Sequence, residues 1–338
     1  MLFLKGKGFD MKDKKFFGIF ICLMLLMFIF TGCAGDDDEE DLEVDENAIK
    51  MQQFIEDISL YAKKINPNFI IIPQNGSELA FEDTDIDAGI LKSYINAIDG
   101  IGIEELFYNS DGIKEIDDER LEMLQELKKH VEKIMVADYV KTEISRIDSI
   151  KLNKDEDFIS FQRGSDNYDY KKIPPINTDS SSNAVNSLAD AKNYLYLINS
   201  EEYNNKEEFL NAIEVTNYDL VLIDLFFGDT QDSFVKADID RLKIKPGGAK
   251  RLVISYINIG AAEEFRYYWK DEWKKGSPSW IKKDYEDYDD EYWVEYWSSS
   301  WQNIIYGNNN SYIKKIIDAG FDGAYLDNVE AYYFLVYD

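Results

Sequence analysis

The sequence predicts a (β/α)8 TIM barrel, and three observations carry that prediction. Short apolar runs that finish on polar residues recur eight times along the chain. The runs are near-continuous rather than alternating, as parallel strands are when helices cover the sheet. Between several of them lie segments with helical periodicity, and a β–α alternation of this length argues for a closed parallel barrel. An open doubly wound sheet is the alternative fold, but no glycine-rich GxGxxG loop is present to support a nucleotide site.

The chain opens with a targeting segment rather than with the fold. Lys12, Lys14 and Lys15 precede an apolar run over 16–30, a charged n-region followed by an h-region. At about 15 residues the run is shorter than the roughly 20 that a membrane span needs. Thr31 and Gly32 lead into Cys33, although Phe30 stands where a smaller aliphatic residue is usual. Residues 1–33 therefore read as a lipoprotein signal peptide with Cys33 as the lipidated residue, and an uncleaved N-terminal anchor is the alternative. Met11 is a second possible start, since it gives an n-region of ordinary length. Residues 34–47 are acidic and poor in apolar side chains, and read as a disordered tether. The protein is thus expected at the cell membrane, held by a lipid anchor only and facing the extracellular or periplasmic side. The other cysteine, Cys22, lies in the h-region, so residues 48–338 are expected to fold without a disulfide.

The barrel elements follow in order. The strands are expected in NFIIIPQNG from Asn68, IDGIGIEELFY from Ile98, KIMVADYV from Lys133 and DFISFQRG from Asp157. NYLYLIN from Asn193, YDLVLIDLF from Tyr218, RLVISYINIG from Arg251 and FDGAYLD from Phe321 complete the set. Helical patterns lie between them in ILKSYINAI, ERLEMLQELKKHVEKI, KEEFLNAIEV and NNSYIKKIIDAG, and Gly320 suits a helix C-cap. Residues 165–191 break the rhythm. Their Pro174–Pro175 pair and serine-rich centre read as an internal linker.

Composition narrows the function. With 66 Asp plus Glu against 37 Lys plus Arg, the formal charge is −29. Such a field disfavours nucleic acid and anionic membrane surfaces, and suits a neutral or cationic substrate, unless it serves solubility alone. His130 is the single histidine and no cysteine cluster exists, so a multi-His or Cys metal site is excluded and no cofactor is expected. In ELKKHVEK that histidine reads as part of a solvated helix face. Nothing in the sequence calls for an oligomer, and a monomer is expected.

In barrels the chemistry sits at the C-terminal ends of the strands, so the acids that end apolar runs are the residues of interest. Strand parity then sorts them by face. In FDGAYLD, Asp327 shares a face with Tyr325, Gly323 and Phe321. In IDGIGIEELFY, Glu104 shares a face with Gly100 and Gly102, while Glu105 lies with Ile101 and Ile103. An outward face needs aliphatic bulk to meet helices, whereas glycines suit a crowded interior. Parity therefore aims Glu104, not Glu105, at the barrel mouth. Asp224, Asp138 and Glu263 also follow apolar strands, although a lone strand-end acid is more often a solvated loop residue or helix N-cap. Tyr256, Arg266 and Trp269 lie near them in sequence. The Trp- and Tyr-dense stretch over 265–301 reads equally as a sugar-stacking surface or as a packed aromatic loop.

These residues resemble a known family. RLVISYINIGAAEEFRYYWKDEW, WVEYWSSSWQNII and AGFDGAYLDNVEAYYF are similar to glycoside hydrolase family 114, in its bacterial and archaeal extracellular branch. That family includes endo-α-1,4-polygalactosaminidases. IIIPQNGSEL, DGIGIEELFY and VADYV resemble the same branch. The order differs: in the family the AKNYLYLIN, YDLVLID, YINIG and LDNVE blocks precede the PQNG, EELFY and DYV blocks, and here they follow them. The chain thus resembles a circular permutant, cut after the LDNVE strand and rejoined through 165–191. A barrel tolerates this because its first and last strands are neighbours. In that arrangement the strand at 321–327 pairs with the strand at 69–74, and the helix following Asp327 is supplied by residues 48–65. A misassembled gene is the weaker explanation.

The resemblance implies a catalytic pair, with Asp327 as nucleophile and Glu104 as general acid/base, an assignment that could be reversed. It implies substrate-positioning roles for Asp224, Tyr256, Glu263, Arg266, Gln74 and Asn75, with Ala261 standing where many relatives carry glutamate. It further implies endo-acting hydrolysis of an α-linked polysaccharide, with a cationic galactosamine polymer as one candidate substrate. A carbohydrate-binding surface lipoprotein without activity is the competing expectation, and a barrel hydrolase for another α-linked sugar is a third.

Overall fold

The computed structural model describes residues 36–164, 168–174, 182–286 and 288–337. The expected signal segment and Cys33 lie outside these residues. All eight expected strands are present: β1 (Ile70–Pro73), β2 (Gly100–Glu104), β3 (Lys133–Tyr139), β4 (Ile159–Arg163), β5 (Tyr194–Tyr196), β6 (Leu220–Asp224), β7 (Leu252–Asn258) and β8 (Gly323–Asp327). Their side chains are almost all buried. This explains why the runs are continuously apolar: one face meets the interior and the other meets helices.

The strands are parallel and lie in two sheets. One has the order β1–β8–β7–β6–β5 and the other β2–β3–β4. The sheets meet where Gln74, just past β1, bridges Gly102 on β2. The Asn75 N–H donates to Gly102 O at 2.7 Å, and the Asp99 N–H to Ile71 O at 2.8 Å, on either side of that bridge. Spatial order therefore follows chain order from β1 to β8, with β8 beside β1 as the sequence anticipates. Ile70 pairs with Gly323 and Pro73 with Leu326. At the β4/β5 seam no strand ladder runs among the described residues. The Phe161 ring lies 6.0 Å from that of Tyr194 and 6.3 Å from that of Tyr196, so side chains meet across the seam.

Glycines fit where parity put them. A Cβ on Gly102 would lie 1.9 Å from the Tyr325 hydroxyl, so the interior at that level is filled by the tyrosine and closed to any larger residue.

The outer layer includes helices α1 (Asp36–Ile65), α2 (Lys92–Ala97), α3 (Asp118–Leu127), α4 (Glu143–Asp155), α5 (Lys206–Glu214), α6 (Lys236–Leu242), α7 (Ser299–Ile305), α8 (Tyr312–Asp318) and α9 (Ala331–Phe334). Helix α1 packs against α2 at one side and α8 and α9 at the other, filling the place after β8. Its Met51, Phe54, Ile55, Ile58 and Ala62 form one fully buried stripe at helical spacing. Burial of each large side chain contributes about 1.5–3 kcal/mol, which is what docks this end of the chain. His130 is exposed and pairs with Glu126, as a surface histidine would.

Two expectations need correction, and a third, left open between two readings, resolves toward packing. The tether at 34–47 is not irregular from Asp36 onward, because α1 begins there. Asn47 and Ala48 are already buried, and acidic residues at a helix N-terminus complement its dipole, which favours extending the helix upstream. The supposed linker at 165–191 is not a spacer throughout. Tyr170 is buried, a short helical turn forms at Leu188–Asp190, and Val185, Leu188 and Ala191 join the core. Its aromatic and aliphatic residues are sparse in a polar background, and that composition hid them. The aromatic stretch is largely structural: Ala261–Glu263, Glu291–Val294 and Ile281–Asp284 form a three-stranded antiparallel sheet, with Trp280, Trp293, Tyr296 and Trp301 buried in or beside it.

Candidate active site

The C-terminal ends of β8, β1 and β2 stand side by side, and they bring Asp327 and Glu104 to the same end of the strands with β1 between them. Asp327 ends β8 opposite Asn258 of β7. Its Oδ2 accepts the Tyr256 hydroxyl at 2.6 Å, and its Oδ1 accepts the Asn328 N–H at 2.7 Å. Glu104 ends β2, and its Oε1 accepts the hydroxyl of Tyr170. Tyr170 in turn stacks on Tyr196 of β5, with ring centroids 3.8 Å apart and planes 14° apart. Both acids are partly open to solvent.

Their environments differ in charge. Burial, and next the negative charge of Asp327, push Glu104 up from 4.5 to about 7, against the Tyr170 hydroxyl and Arg163, which lower it. Burial raises Asp327 as well, while the Tyr256 and Asn328 hydrogen bonds favour its ionised form. One group is thus poised to hold a proton near neutrality, and the other carries donors that stabilise its charge. Pairs pushed apart in this way are the pattern expected of an acid and a nucleophile or base.

Residues in the left-handed region sit just past the strand ends that frame the pair: Asn75 after β1, Glu105 after β2 and Asn328 after β8, with φ of 59°, 50° and 58°. Strained backbone of this kind costs about 1–3 kcal/mol per residue and concentrates at functional sites. Here it turns each chain sharply as it leaves its strand. Glu105 leaves the interior, as parity anticipates, and forms an ion pair with Arg163 at the end of β4.

The residues expected to position a substrate are close by, and the geometry gives each a set of partners. Arg266 holds Asp224 through both terminal nitrogens, at 3.0 and 2.8 Å, and Glu263 at 2.7 and 2.9 Å. The three form a buried ion cluster beneath the site, in which each carboxylate is matched by a shared guanidinium fork. Tyr256 serves Asp327. Gln74 is buried and accepts the Tyr196 hydroxyl at 3.0 Å. Asn75 bonds to the Glu104 N–H, to Arg120 and to Glu330. Asp138 lies away from the pair: it is fully buried and accepts the Phe107 and Tyr108 N–H groups, the Ser149 hydroxyl and the Asn153 amide, which makes it a structural residue. Trp269 stacks on Tyr292 at 5.4 Å. No three-residue cluster that could hold a metal ion occurs among the described residues.

Sequence reasoning missed four residues here. Arg163 ends β4, where the parity argument could have reached it. Glu330 lies three residues past Asp327, in a turn. Tyr170 lies in the polar segment read as a linker. Glu291 faces Glu263 across two antiparallel strands. Burial, then Glu263 and Asp327, push Glu291 well above the ordinary carboxylate range. No local pattern marks these last three, because long-range packing brings them in.

Comparison with known proteins bears on the same strands. Residues 179–336, which carry β5 to β8, match the model of glycoside-hydrolase family GH114. An uncharacterized protein of Methanocaldococcus jannaschii is 33% identical over 162 residues, covering 45% of this chain and 44% of that protein. One from Deinococcus radiodurans is 32% identical over 123 residues, covering 36% and 37%, and one from Thermotoga maritima is 36% identical over 79 residues, covering 23% of each. The matched stretches thus span less than half the length of these relatives. The resemblance to GH114 holds over 179–336, and a match to that family suggests glycoside hydrolase activity.

Proposed function

We propose, from the GH114 match as premise, that this chain hydrolyses an α-linked polysaccharide with Glu104 as general acid/base and Asp327 as nucleophile. The observation that carries the reading is the Glu104–Asp327 pair itself. The two acids stand on strands flanking β1, one held protonated near neutrality by burial and by the other's charge, the other fitted with a hydroxyl and an N–H donor. Glycoside hydrolysis needs such a division of labour. Glu104 protonates the departing glycosidic oxygen while Asp327 attacks the anomeric carbon. Water then enters on the face that the leaving group vacated, opposite Asp327, gives a proton to Glu104 and displaces Asp327. The Asp224–Arg266–Glu263 cluster holds the floor under Asp327.

A cationic amino-sugar polymer such as polygalactosamine, cut internally, is the substrate class we favour. The net charge of −29 would draw such a polymer in.

Two structural proposals accompany this reading. The eight strands close into a barrel at the β4/β5 seam, supported by the aromatic contacts across it and by the sequential strand order. The chain is a circular permutant of the family, supported by β8 pairing with β1, by α1 filling the position after β8, and by a family match that takes in β5 to β8 but not β1 to β4. We also propose export and lipid anchoring at Cys33, for which the sequence of residues 12–33 is the support.

The test is a screen of the purified domain against deacetylated and acetylated amino-sugar polymers, with Asp327→Asn as control. Cleavage that the control loses by several orders of magnitude supports the enzyme. Binding without cleavage by the unsubstituted domain would instead favour a carbohydrate-binding lipoprotein.

A further inference from the structure

We propose that Glu330 is a positioning residue that sets the place of Glu104 through Asn75, and this rests on the assignment of Glu104 to the reaction. Asn75 is the hinge of the argument. Its Nδ2 donates to Glu330 Oε2 at 2.9 Å, while its Oδ1 accepts the Glu104 N–H at 3.1 Å and Arg120 Nη2 at 3.2 Å. Reversing that amide would set an NH2 group against two donors and an oxygen against a carboxylate, so the three partners allow one orientation only. Of the three, Glu330 is the sole acceptor, and it is therefore the group that turns Oδ1 toward Glu104.

The backbone reinforces the clamp. The Asn75 N–H donates to Gly102 O at 2.7 Å, so Asn75 holds β2 at two points, by main chain at Gly102 and by side chain at Glu104. These two bonds continue the link between β1 and β2 past the Gln74 bridge, at the place where Asn75 itself turns left-handed. Glu330 lies three residues after Asp327, at the N-cap of α9. The path Asp327–Glu330–Asn75–Glu104 thus ties the two strand ends that carry the reacting carboxyls.

The carboxylate is retained there at a cost. Burial and the neighbouring Glu78, itself bonded by the Tyr332 hydroxyl, work against its charge. An acceptor placed among acids and turned toward one amide fits an orienting role better than a packing role.

The experiment uses the full chain and four variants: E330L, E330Q, N75G and the E330L/N75G double variant. Glycine is chosen because it keeps the left-handed backbone while removing all three side-chain bonds. With a deacetylated galactosamine polymer, E330L and N75G should each lower kcat by about 10–100-fold, the scale of a small misplacement of a reacting group, with KM changed less than about threefold. E330Q still offers an oxygen to the Asn75 amide and should restore kcat to within about threefold of the unsubstituted chain. The double variant should be no worse than either single one, since both remove the same link. In parallel, the Glu104 backbone amide resonance should shift in E330L and N75G and stay in place in E330Q. Multiplying losses in the double variant, a KM effect alone, or a Glu104 amide unmoved by E330L would each overturn the proposal. If E330L does not fold, E330Q and N75G decide it. An unsubstituted chain that cleaves no amino-sugar polymer would strike at the glycosidase reading, and the amide resonance would still decide the positioning claim.

Discussion

Replacing Glu104 by glutamine should make the protein more stable at alkaline pH while removing its activity. Glu104 is pushed from 4.5 to about 7 by burial and by Asp327, so the folded state holds a proton that the unfolded chain releases. A raised carboxyl pKa contributes stability that is fully present below about 4.5 and is lost as pH rises through about 7. At 1.36 kcal/mol per pH unit the interval corresponds to about 3 kcal/mol. Glutamine has no proton to lose and keeps an oxygen for the Tyr170 hydroxyl. Urea denaturation at pH 5 and pH 8 should therefore show the unsubstituted chain losing about 2.5 kcal/mol more than E104Q on going to the higher pH. The other raised acids, Asp138, Glu263, Asp327, Glu291 and Glu330, titrate in both proteins and cancel to first order in the comparison. In the same variant the rate should fall by roughly 10²–10⁴, the range for removing a general acid. Stability curves that run parallel in the two proteins would mean that Glu104 is not held protonated, and the acid role would fall with it.

Tyr256→Phe removes the hydroxyl that donates to Asp327 Oδ2; since that bond favours the ionised form, the acid limb of the pH–rate profile should move to higher pH, and an unmoved limb would exclude the contact from the reaction. Arg266→Met leaves Asp224 and Glu263 buried and unmatched. Breaking a buried pair in this way costs about 3–5 kcal/mol; the loss in denaturant midpoint should be largest at neutral pH and shrink on acidification, as Glu263 takes up a proton. Cys33→Ser should release the protein from the membrane fraction or leave it unprocessed, and unchanged fractionation and mass would point to another anchor.

Much of the architecture was legible because it depends on local pattern. The eight strands are continuous apolar runs ended by polar residues, and two-sided burial forces that composition wherever such a strand occurs. Parity separated Glu104 from Glu105 for a related reason: Gly102 has no room for a side chain beside the Tyr325 hydroxyl, so the glycine face had to be the interior one. The pairing of β8 with β1 followed from block order alone. Other features depend on residues that meet only in the folded chain. Tyr170 reaches Glu104 across 66 positions of sequence and Asn75 meets Glu330 across 255. A polar segment or a short turn offers no periodicity from which such contacts can be read. The helical start at Asp36 was hidden because acidic composition lowers the expectation of folding, whereas placed at a helix N-terminus the same charges favour it. The eight strands, their parallel class and the two carboxyls that face inward follow from local pattern along the chain. The charge each carboxyl carries follows from the folded arrangement, because burial, a neighbour's charge and the donors aimed at it come from elements far apart in the chain.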